Sequence, residues 1–182
     1  MKHQLNFKSP LAVAAVIALS VCTNACQSDF NTPIISCPNM SMSATLENTT
    51  RSMQLSTNTI FRQQIDSGGA KYLSLEAVSD SIRIVINVVD GVYPDHKLAD
   101  DSLRLKTYIF SRAAKLQGGL VAGAVKTGQE DYRYLTTDTS SVTITRVNTK
   151  LKTVTGTFYF EASNRTVKGS GVFVSACYVS LP

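Results

Sequence analysis

The chain has 182 residues and a formal net charge of +5, with 17% charged and 43% hydrophobic residues. This length accommodates one domain with its own core and is short for two. The low charged fraction and abundant Ser, Thr and Asn are typical of secreted β proteins and disfavour a cytosolic helical enzyme. Scattered basic residues, with no block of five or more, argue against nucleic-acid binding.

The N-terminus has the pattern of a secretory signal. An apolar run from Leu11 to Val21 follows a basic segment that contains Lys2 and Lys8. The run is shorter than the roughly 20 residues that a spanning helix needs, and polar residues follow it directly. We therefore predict a signal peptide over residues 1–25, whose removal lowers the formal charge to +3. A transmembrane helix is the alternative.

The cysteines suggest how the signal ends. There are four of them, Cys22, Cys26, Cys37 and Cys177. Lipoprotein processing needs a small residue before the modified cysteine, and Ala25 meets this need for Cys26, whereas Val21 is too bulky before Cys22. We expect a lipid on Cys26, with ordinary signal-peptidase cleavage after Ala25 as the alternative.

The same counting predicts a disulfide. Loss of Cys22 and lipidation of Cys26 leave Cys37 and Cys177 as an even pair in an oxidising compartment. We expect these two to bond, closing nearly the whole domain into one loop. Two buried free thiols are the alternative.

The remaining sequence divides into two parts. Residues 26–39 read as a lipid-anchored tether, and residues 40–182 as a single β domain. The clearest strand is 81–89, in which Ile82, Ile84, Ile86 and Val88 share one face. We expect it to form a hairpin with 71–79 across Ser79 and Asp80.

The sequence allows alternative secondary structures in the middle of the domain, whereas the C-terminal part predicts strands alone. Residues 102–117 predict either a strand running into a short helical turn or two strands, and 118–128 predict a flexible loop or a small-residue strand. Three later runs alternate and predict an antiparallel meander, namely 140–148, 153–162 and 171–179. The expected fold is all-β, an antiparallel β-sandwich or flattened barrel with this meander at its C-terminus.

Motifs in the meander resemble a known family. Ser141 to Thr145, Gly156 to Ala162 and Gly171 to Tyr178 resemble the C-terminal signature of an uncharacterised family of Bacteroidota envelope lipoproteins. Asp90 to Tyr93 is similar to a mid-chain turn of that family, and Ser28 to Phe30 resembles its acidic export tag. The resemblance implies an exported protein held at the outer membrane, on the periplasmic or the surface face, and it assigns no activity.

The histidine and the aspartates are candidates for chemistry. After processing, His96 is the remaining histidine, and Asp90, Asp95, Asp100 and Asp101 are close to it in sequence. A Ser-His-Asp arrangement would use His96, but no Gly-x-Ser-x-Gly elbow is present, and we expect an exposed loop histidine. The aspartates could bind Ca²⁺, but their spacing does not fit an EF-hand. A solvated acidic loop is expected, with no metal and no cofactor.

Other side chains are candidates for binding or modification. Tyrosines can stack on sugar rings when several line one sheet face, and the candidates, all expected to be exposed, are Tyr93, Tyr108, Tyr132, Tyr134 and Tyr159. Cross-strand packing is the alternative role. The resemblance also implies O-glycosylation at Ser81 and Ser102, each of which lies in an Asp-Ser-apolar triplet.

Together these features predict a non-enzymatic envelope lipoprotein with a binding or structural role. Its expected partners are the membrane, reached through the lipid, and a glycan or another envelope protein. A carbohydrate- or surface-polymer-binding module is the alternative. An unrecognised hydrolase that uses His96 is the third hypothesis.

Overall fold

The computed structural model describes residues 37, 39–56, 60–64, 69–98, 100–128 and 131–181. The predicted signal peptide, Cys26 and most of the predicted tether lie outside these residues. Within them the strands are β1 (Ser41–Leu46), β2 (Thr49–Leu55), β3 (Ile60–Gln64), β4 (Ala70–Val78), β5 (Ile82–Asp90), β6 (Thr107–Ser111), β7 (Leu116–Gln117), β8 (Gly119–Lys126), β9 (Tyr132–Tyr134), β10 (Thr137–Asn148), β11 (Thr153–Ala162), β12 (Val167–Cys177) and β13 (Val179–Leu181), and the helix is α1 (Asp95–Leu98).

The strands form a sheet that curls into a half-barrel. Its antiparallel order is β7-β6-β10-β11-β12-β1-β2-β4-β5-β8-β9, while β13 pairs in parallel with β3, which in turn pairs with β4. The predicted all-β antiparallel class is confirmed, and so is the C-terminal meander of β10, β11 and β12. In this part of the chain, no helix has the length and apolar character needed to cross a membrane.

The hairpin of β4 and β5 forms the centre of one wall. Leu73, Leu75 and Ala77 face inward opposite the inward residues of β5, and all are buried. Burying one such Leu contributes about 1.5–3 kcal/mol, so alternation of apolar residues fixes which face turns inward. The predicted hairpin is confirmed, with residues 79–81 as its turn.

The two ambiguous segments are both strands. Residues 107–117 form β6 and β7 around a turn at 112–115, and the glycine-rich stretch forms β8. A Cβ atom on Gly119 would lie 2.4 Å from the carbonyl oxygen of Tyr108, and one on Gly123 would lie 2.8 Å from the Phe160 ring. The glycines of β8 therefore allow a close approach to neighbouring strands.

Three cross-strand pairs between β11 and β12 join a glycine to a phenylalanine. They are Gly156 with Phe173, Phe158 with Gly171, and Phe160 with Gly169. All three phenylalanines are buried, and a Cβ atom on Gly171 would lie 2.4 Å from the Phe158 ring. Each ring thus covers the backbone of the opposite glycine, which explains why the meander alternates Gly and Phe.

Side-chain hydroxyls join β8 to β10 where the half-barrel curls back on itself. Thr137 Oγ1 donates to the carbonyl of Val121 at 2.7 Å. Ser140 Oγ donates to the carbonyl of Gly119 at 2.8 Å and accepts from the Val121 amide at 3.0 Å. Both hydroxyl residues are buried. We call this contact the seam, because side chains there satisfy backbone groups that a strand ladder would otherwise satisfy.

The predicted disulfide between Cys37 and Cys177 is confirmed. Their Cα atoms are 5.7 Å apart, and 140 residues separate them in sequence. The bond joins the start of the described chain to the end of β12. It therefore closes a covalent loop around nearly every strand.

Candidate functional site

The outer side of six neighbouring strands is rich in hydroxyl groups. Across β6, β10, β11, β12, β1 and β2, one row of outward residues is Thr107, Thr143, Thr157, Val172, Ser43 and Ser52. The next row is Ile109, Ser141, Tyr159, Ser170, Thr45 and Thr50. We call these two rows the hydroxyl face. It presents many donors and acceptors around one exposed aromatic ring.

A shallow groove with a volume of about 450 Å³ lies at one edge of the hydroxyl face. Volumes of this order are typical of sites for small ligands. Most of its lining side chains are polar, and they include Thr45, Glu47, Asn48, Tyr159, Thr166, Lys168 and Ser170. We call it the Tyr159 groove. Its mixture of hydroxyls, an amide, charges and one ring is suited to a polar ligand with a flat apolar side.

Tyr159 is held in a defined position. Its side chain is 38% exposed, and its hydroxyl donates to Glu161 Oε1 at 2.7 Å. Lys168 Nζ and Arg165 Nε lie 3.5 Å and 3.6 Å from the same carboxylate. The hydrogen bond from the Tyr159 hydroxyl to Glu161 is the main cause that raises the pKa of Tyr159 and lowers the pKa of Glu161. The ring is therefore oriented before any ligand arrives.

The tight turn between β1 and β2 supplies the other rim of the groove. Glu47 and Asn48 both have positive φ, 45° and 68°, as a two-residue hairpin of this kind requires. The Glu47 amide donates to the carbonyl of Lys168 at 3.2 Å, which ties the turn to β12. Sequence reasoning missed these groove residues, although the Glu-Asn pair between two short alternating runs was an available turn signal.

The other tyrosine candidates do not join Tyr159 on one face. Lys71 Nζ and the Arg104 guanidinium carbon each lie 4.4 Å from the centroid of the Tyr93 ring. Tyr108 was expected to be exposed, and this was wrong, because it is buried against the core. The predicted aromatic platform therefore reduces to Tyr159 on the hydroxyl face and a separate cluster on β9.

That second cluster contains Tyr132 and Tyr134. Arg83, on the outer side of β5, stacks over the Tyr132 ring at 4.5 Å, and its Nη1 donates to the Tyr134 hydroxyl at 3.4 Å. Arg83 Nε also lies 3.2 Å from Glu76 Oε1. These contacts fasten the edge strand β9 to the sheet, in keeping with a packing role.

The polar residues between β5 and β6 form a separate cluster around a buried lysine. We call residues 91–106 the strap. Lys71, on an inward position of β4, is fully buried, and its Nζ lies 2.7 Å from Asp100 Oδ1 and 2.9 Å from the carbonyl of Ser102. Hydrogen bonds from Lys71 and Ser102 lower the pKa of Asp100 to about 2. The strap is thereby bound to the sheet by a charged pair.

Asp90 forms the adjoining part of the cluster. It is fully buried at the end of β5, accepts from the Tyr93 hydroxyl and the Arg104 amide, and lies 3.3 Å from Lys106 Nζ. Burial raises the pKa of this carboxyl, but the hydrogen bonds outweigh burial and the pKa lies below its usual value. Burial and the Asp90 carboxylate raise the pKa values of Tyr93 and Tyr108.

The expectation of a solvated acidic loop was wrong for two of its aspartates. Asp90 and Asp101 are buried, and Asp101 binds Lys152 Nζ and accepts from Ser180 Oγ at 2.5 Å. Lys152 is 51 residues from Asp101 in sequence. Arg104 and Lys106 approach Asp90 only because the strap folds back on the end of β5, so the local sequence did not reveal these pairings. Among the described residues, no group of three or more His, Cys, Asp or Glu side chains could hold a metal ion.

The remaining predicted residues lie apart from the groove. His96 is exposed on α1. Ser81 lies in the turn between β4 and β5, where its hydroxyl donates to Asp80 at 3.2 Å. The Ser102 hydroxyl is engaged by Asp100 and Lys71 within the strap cluster, which makes it a less accessible glycosylation acceptor than Ser81.

Comparison with known proteins adds no assignment. No protein-family model matches the chain. No curated protein and no solved structure matches it either. The candidate site therefore rests on the geometry of this chain alone.

Proposed function

We propose that this protein is an exported, non-enzymatic envelope lipoprotein, anchored through Cys26, whose β domain binds carbohydrate in the Tyr159 groove. The signal pattern, the position of Ala25 and the paired cysteines support export and anchoring. The single observation that favours carbohydrate is the oriented, exposed Tyr159 ring beside the hydroxyls of Thr45 and Ser170.

The chemistry of the groove favours a neutral or weakly charged sugar. A tyrosine ring offers an apolar surface for the C–H side of a sugar ring, while hydroxyl and amide groups bond to its hydroxyls. Asn48 and Thr166 supply such groups at the rim. Lys168 Nζ lies 3.5 Å from Glu161 Oε1, so the lysine that lines the groove is already partnered by a carboxylate. A strongly anionic polymer is therefore the less suitable ligand.

Carbohydrate binding is tested with a panel of immobilised neutral oligosaccharides. We expect the unmodified chain to bind at least one of them and Tyr159→Ala to bind it about tenfold more weakly, through loss of the stacking ring. Tyr159→Phe keeps the ring and should retain most of the affinity. Tyr134→Ala is the matched control, because this tyrosine is also exposed but lies on β9, next to Arg83 and away from the groove. Equal binding by Tyr159→Ala, or no binding to any sugar in the panel, would contradict the carbohydrate proposal.

The anchor is tested separately by metabolic labelling with an alkyne fatty acid. We expect label on the unmodified chain and on Cys22→Ser, and none on Cys26→Ser. Cys22→Ser is a matched control because it removes a thiol from the same segment without touching the proposed lipid site. Equal label on Cys26→Ser and the unmodified chain would remove the anchor from the proposal and leave the groove untouched.

A further inference from the structure

One end of the half-barrel is built from the strap, the β10–β11 turn at 149–152 and β13. Lys152, in the turn, binds Asp101 of the strap and lies 3.0 Å from Ser180 Oγ of β13. The Tyr178 amide, next to the disulfide cysteine, donates to the carbonyl of Lys152 at 2.9 Å. These contacts place the three segments beside the Cys37–Cys177 bond. We call this end the disulfide pole.

The disulfide pole exposes large apolar side chains. Val92 and Leu105 of the strap are 78% and 62% exposed, and Leu151 of the turn is 70% exposed. Among the described residues these are the three most exposed large hydrophobic side chains. Single exposed apolar residues are ordinary, but three in adjoining loops at one end suggest an interaction surface.

The same pole is basic. Residues 91–106, 149–152 and 179–181 contain five Lys or Arg against three Asp. Asp100 and Asp101 are each bound to a cation already, and Lys71 of β4 is one of those cations. Lys97 of the strap and Lys150 of the turn are both exposed, and Lys150 is the neighbour of Leu151 in sequence. Exposed cations around aliphatic side chains are complementary to an anionic lipid surface.

The chain also enters the domain at this pole. Cys37 is the first described residue, and the proposed lipid on Cys26 is eleven residues before it. A chain of that length reaches about 40 Å when fully extended. The pole is consequently kept close to the bilayer, and such tethering raises the effective concentration of a weakly binding surface.

We propose that the disulfide pole docks on anionic phospholipid headgroups, with Leu105 and Leu151 entering the interface of the bilayer. This proposal rests on the proposed export and anchoring, and it adds a defined orientation. The pole faces the membrane, whereas the turns at 112–115 and 163–166, at the other ends of β6 and β11, face away.

Hydrogen exchange of the full chain on vesicles tests this orientation. The vesicles contain equal parts of phosphatidylglycerol and phosphatidylcholine, with pure phosphatidylcholine as the comparison. We expect slower exchange in 91–106 and 149–152 on the anionic vesicles, and no change in 112–115 and 163–166. Leu105→Ser combined with Leu151→Ser should abolish this protection. Ile109→Ser combined with Leu116→Ser is the matched control, since it removes two exposed apolar side chains outside the pole.

Each outcome decides the proposal. Protection confined to the pole and lost in the Leu105 and Leu151 variant supports it. Protection absent from the pole, shared equally by both ends, or unchanged in that variant overturns it. A lipid-independent dimer dissolved by the same substitutions would instead assign the surface to a second copy of the chain. Residues 1–36 are identical in every variant, and the readout needs no lipidation, so failure here is distinguishable from failure of the anchor.

Discussion

Lys71 and Asp90 face each other as register partners on β4 and β5, yet the contacts that neutralise them come largely from the strap. Lys71 binds Asp100, whereas Asp90 binds Tyr93, Arg104 and Lys106. Two opposite charges are thus buried side by side at the end of the core. The strap is therefore part of the folded domain, and its charges should contribute to stability.

Removing the carboxylate that faces Lys71 should destabilise the domain. Asp100→Asn keeps the shape of the side chain but leaves the buried ammonium without its counter-charge. Losing a buried pair can cost 3–5 kcal/mol, but Asp100 is 58% exposed and partly screened, so we expect a loss of about 2 kcal/mol. Urea unfolding measures it, with Asp80→Asn as the control, because Asp80 is 84% exposed and 3.9 Å from Arg51. Equal stability of the two variants would contradict this role for Asp100.

Stability should fall in acid for the same reason. The pKa values of Asp90 and Asp100 are lowered in the folded chain, that of Asp100 to about 2. A lowered folded pKa stabilises the protein above the unfolded value, about 3.9 for Asp, and this contribution disappears as the pH falls through the folded pKa. We therefore expect the free energy of unfolding to decline between about pH 4 and pH 2.

The comparison variant for this pH dependence is Asp100→Asn, which has one fewer carboxyl to protonate. Its free energy of unfolding should decline less steeply over the same pH range. Urea denaturation at a series of pH values gives both curves. Parallel curves would exclude Asp100 as a source of the acid sensitivity.

Reduction of the disulfide should cost much of the stability. A loop closed over 140 residues contributes up to about 5 kcal/mol on the chain-entropy model. We expect a reductant to lower the free energy of unfolding by about 3–5 kcal/mol. The chain with both Cys37→Ser and Cys177→Ser should show the lower value with or without reductant. An unmodified chain that unfolds at the same urea concentration in both conditions would refute the prediction.

A methyl group at Gly171 should not be accommodated. A Cβ atom there would lie 2.3 Å from the Ser43 carbonyl oxygen and 2.4 Å from the Phe158 ring. We expect Gly171→Ala to lower the free energy of unfolding by about 1–3 kcal/mol, as overpacking does. Gly91→Ala is the control, because nothing lies within 4 Å of its Cβ position. If both variants are equally stable, the close packing of β11 on β12 is not rigid.

Patterns within short segments of the sequence predicted the strands that alternate strongly. Alternation was strong enough to predict β5 and the β10–β12 meander, and cysteine counting predicted the disulfide. The β1–β2 hairpin was missed because only Met42, Ala44 and Met53 of its side chains are deeply buried, and its outer residues are all polar. A weak apolar alternation gives little periodic signal.

The candidate site was predictable only in part. Tyr159 was among the aromatic candidates, but its neighbours in the groove come from turns and strands far apart in sequence. The burial of Asp101 depends on Lys152, which is 51 residues away. Such pairings are set by the curl of the sheet, and no local pattern of charges encodes them.

The glycine and phenylalanine pairs make the volume of the core a shared property of β11 and β12. Phe158 and Gly171 could not simply exchange places, because a side chain at position 171 would still have its Cβ atom 2.3 Å from the Ser43 carbonyl oxygen. The size of each phenylalanine is therefore tied to the absence of a side chain on the facing strand, and a change at one member of a pair restricts which residue the other can be.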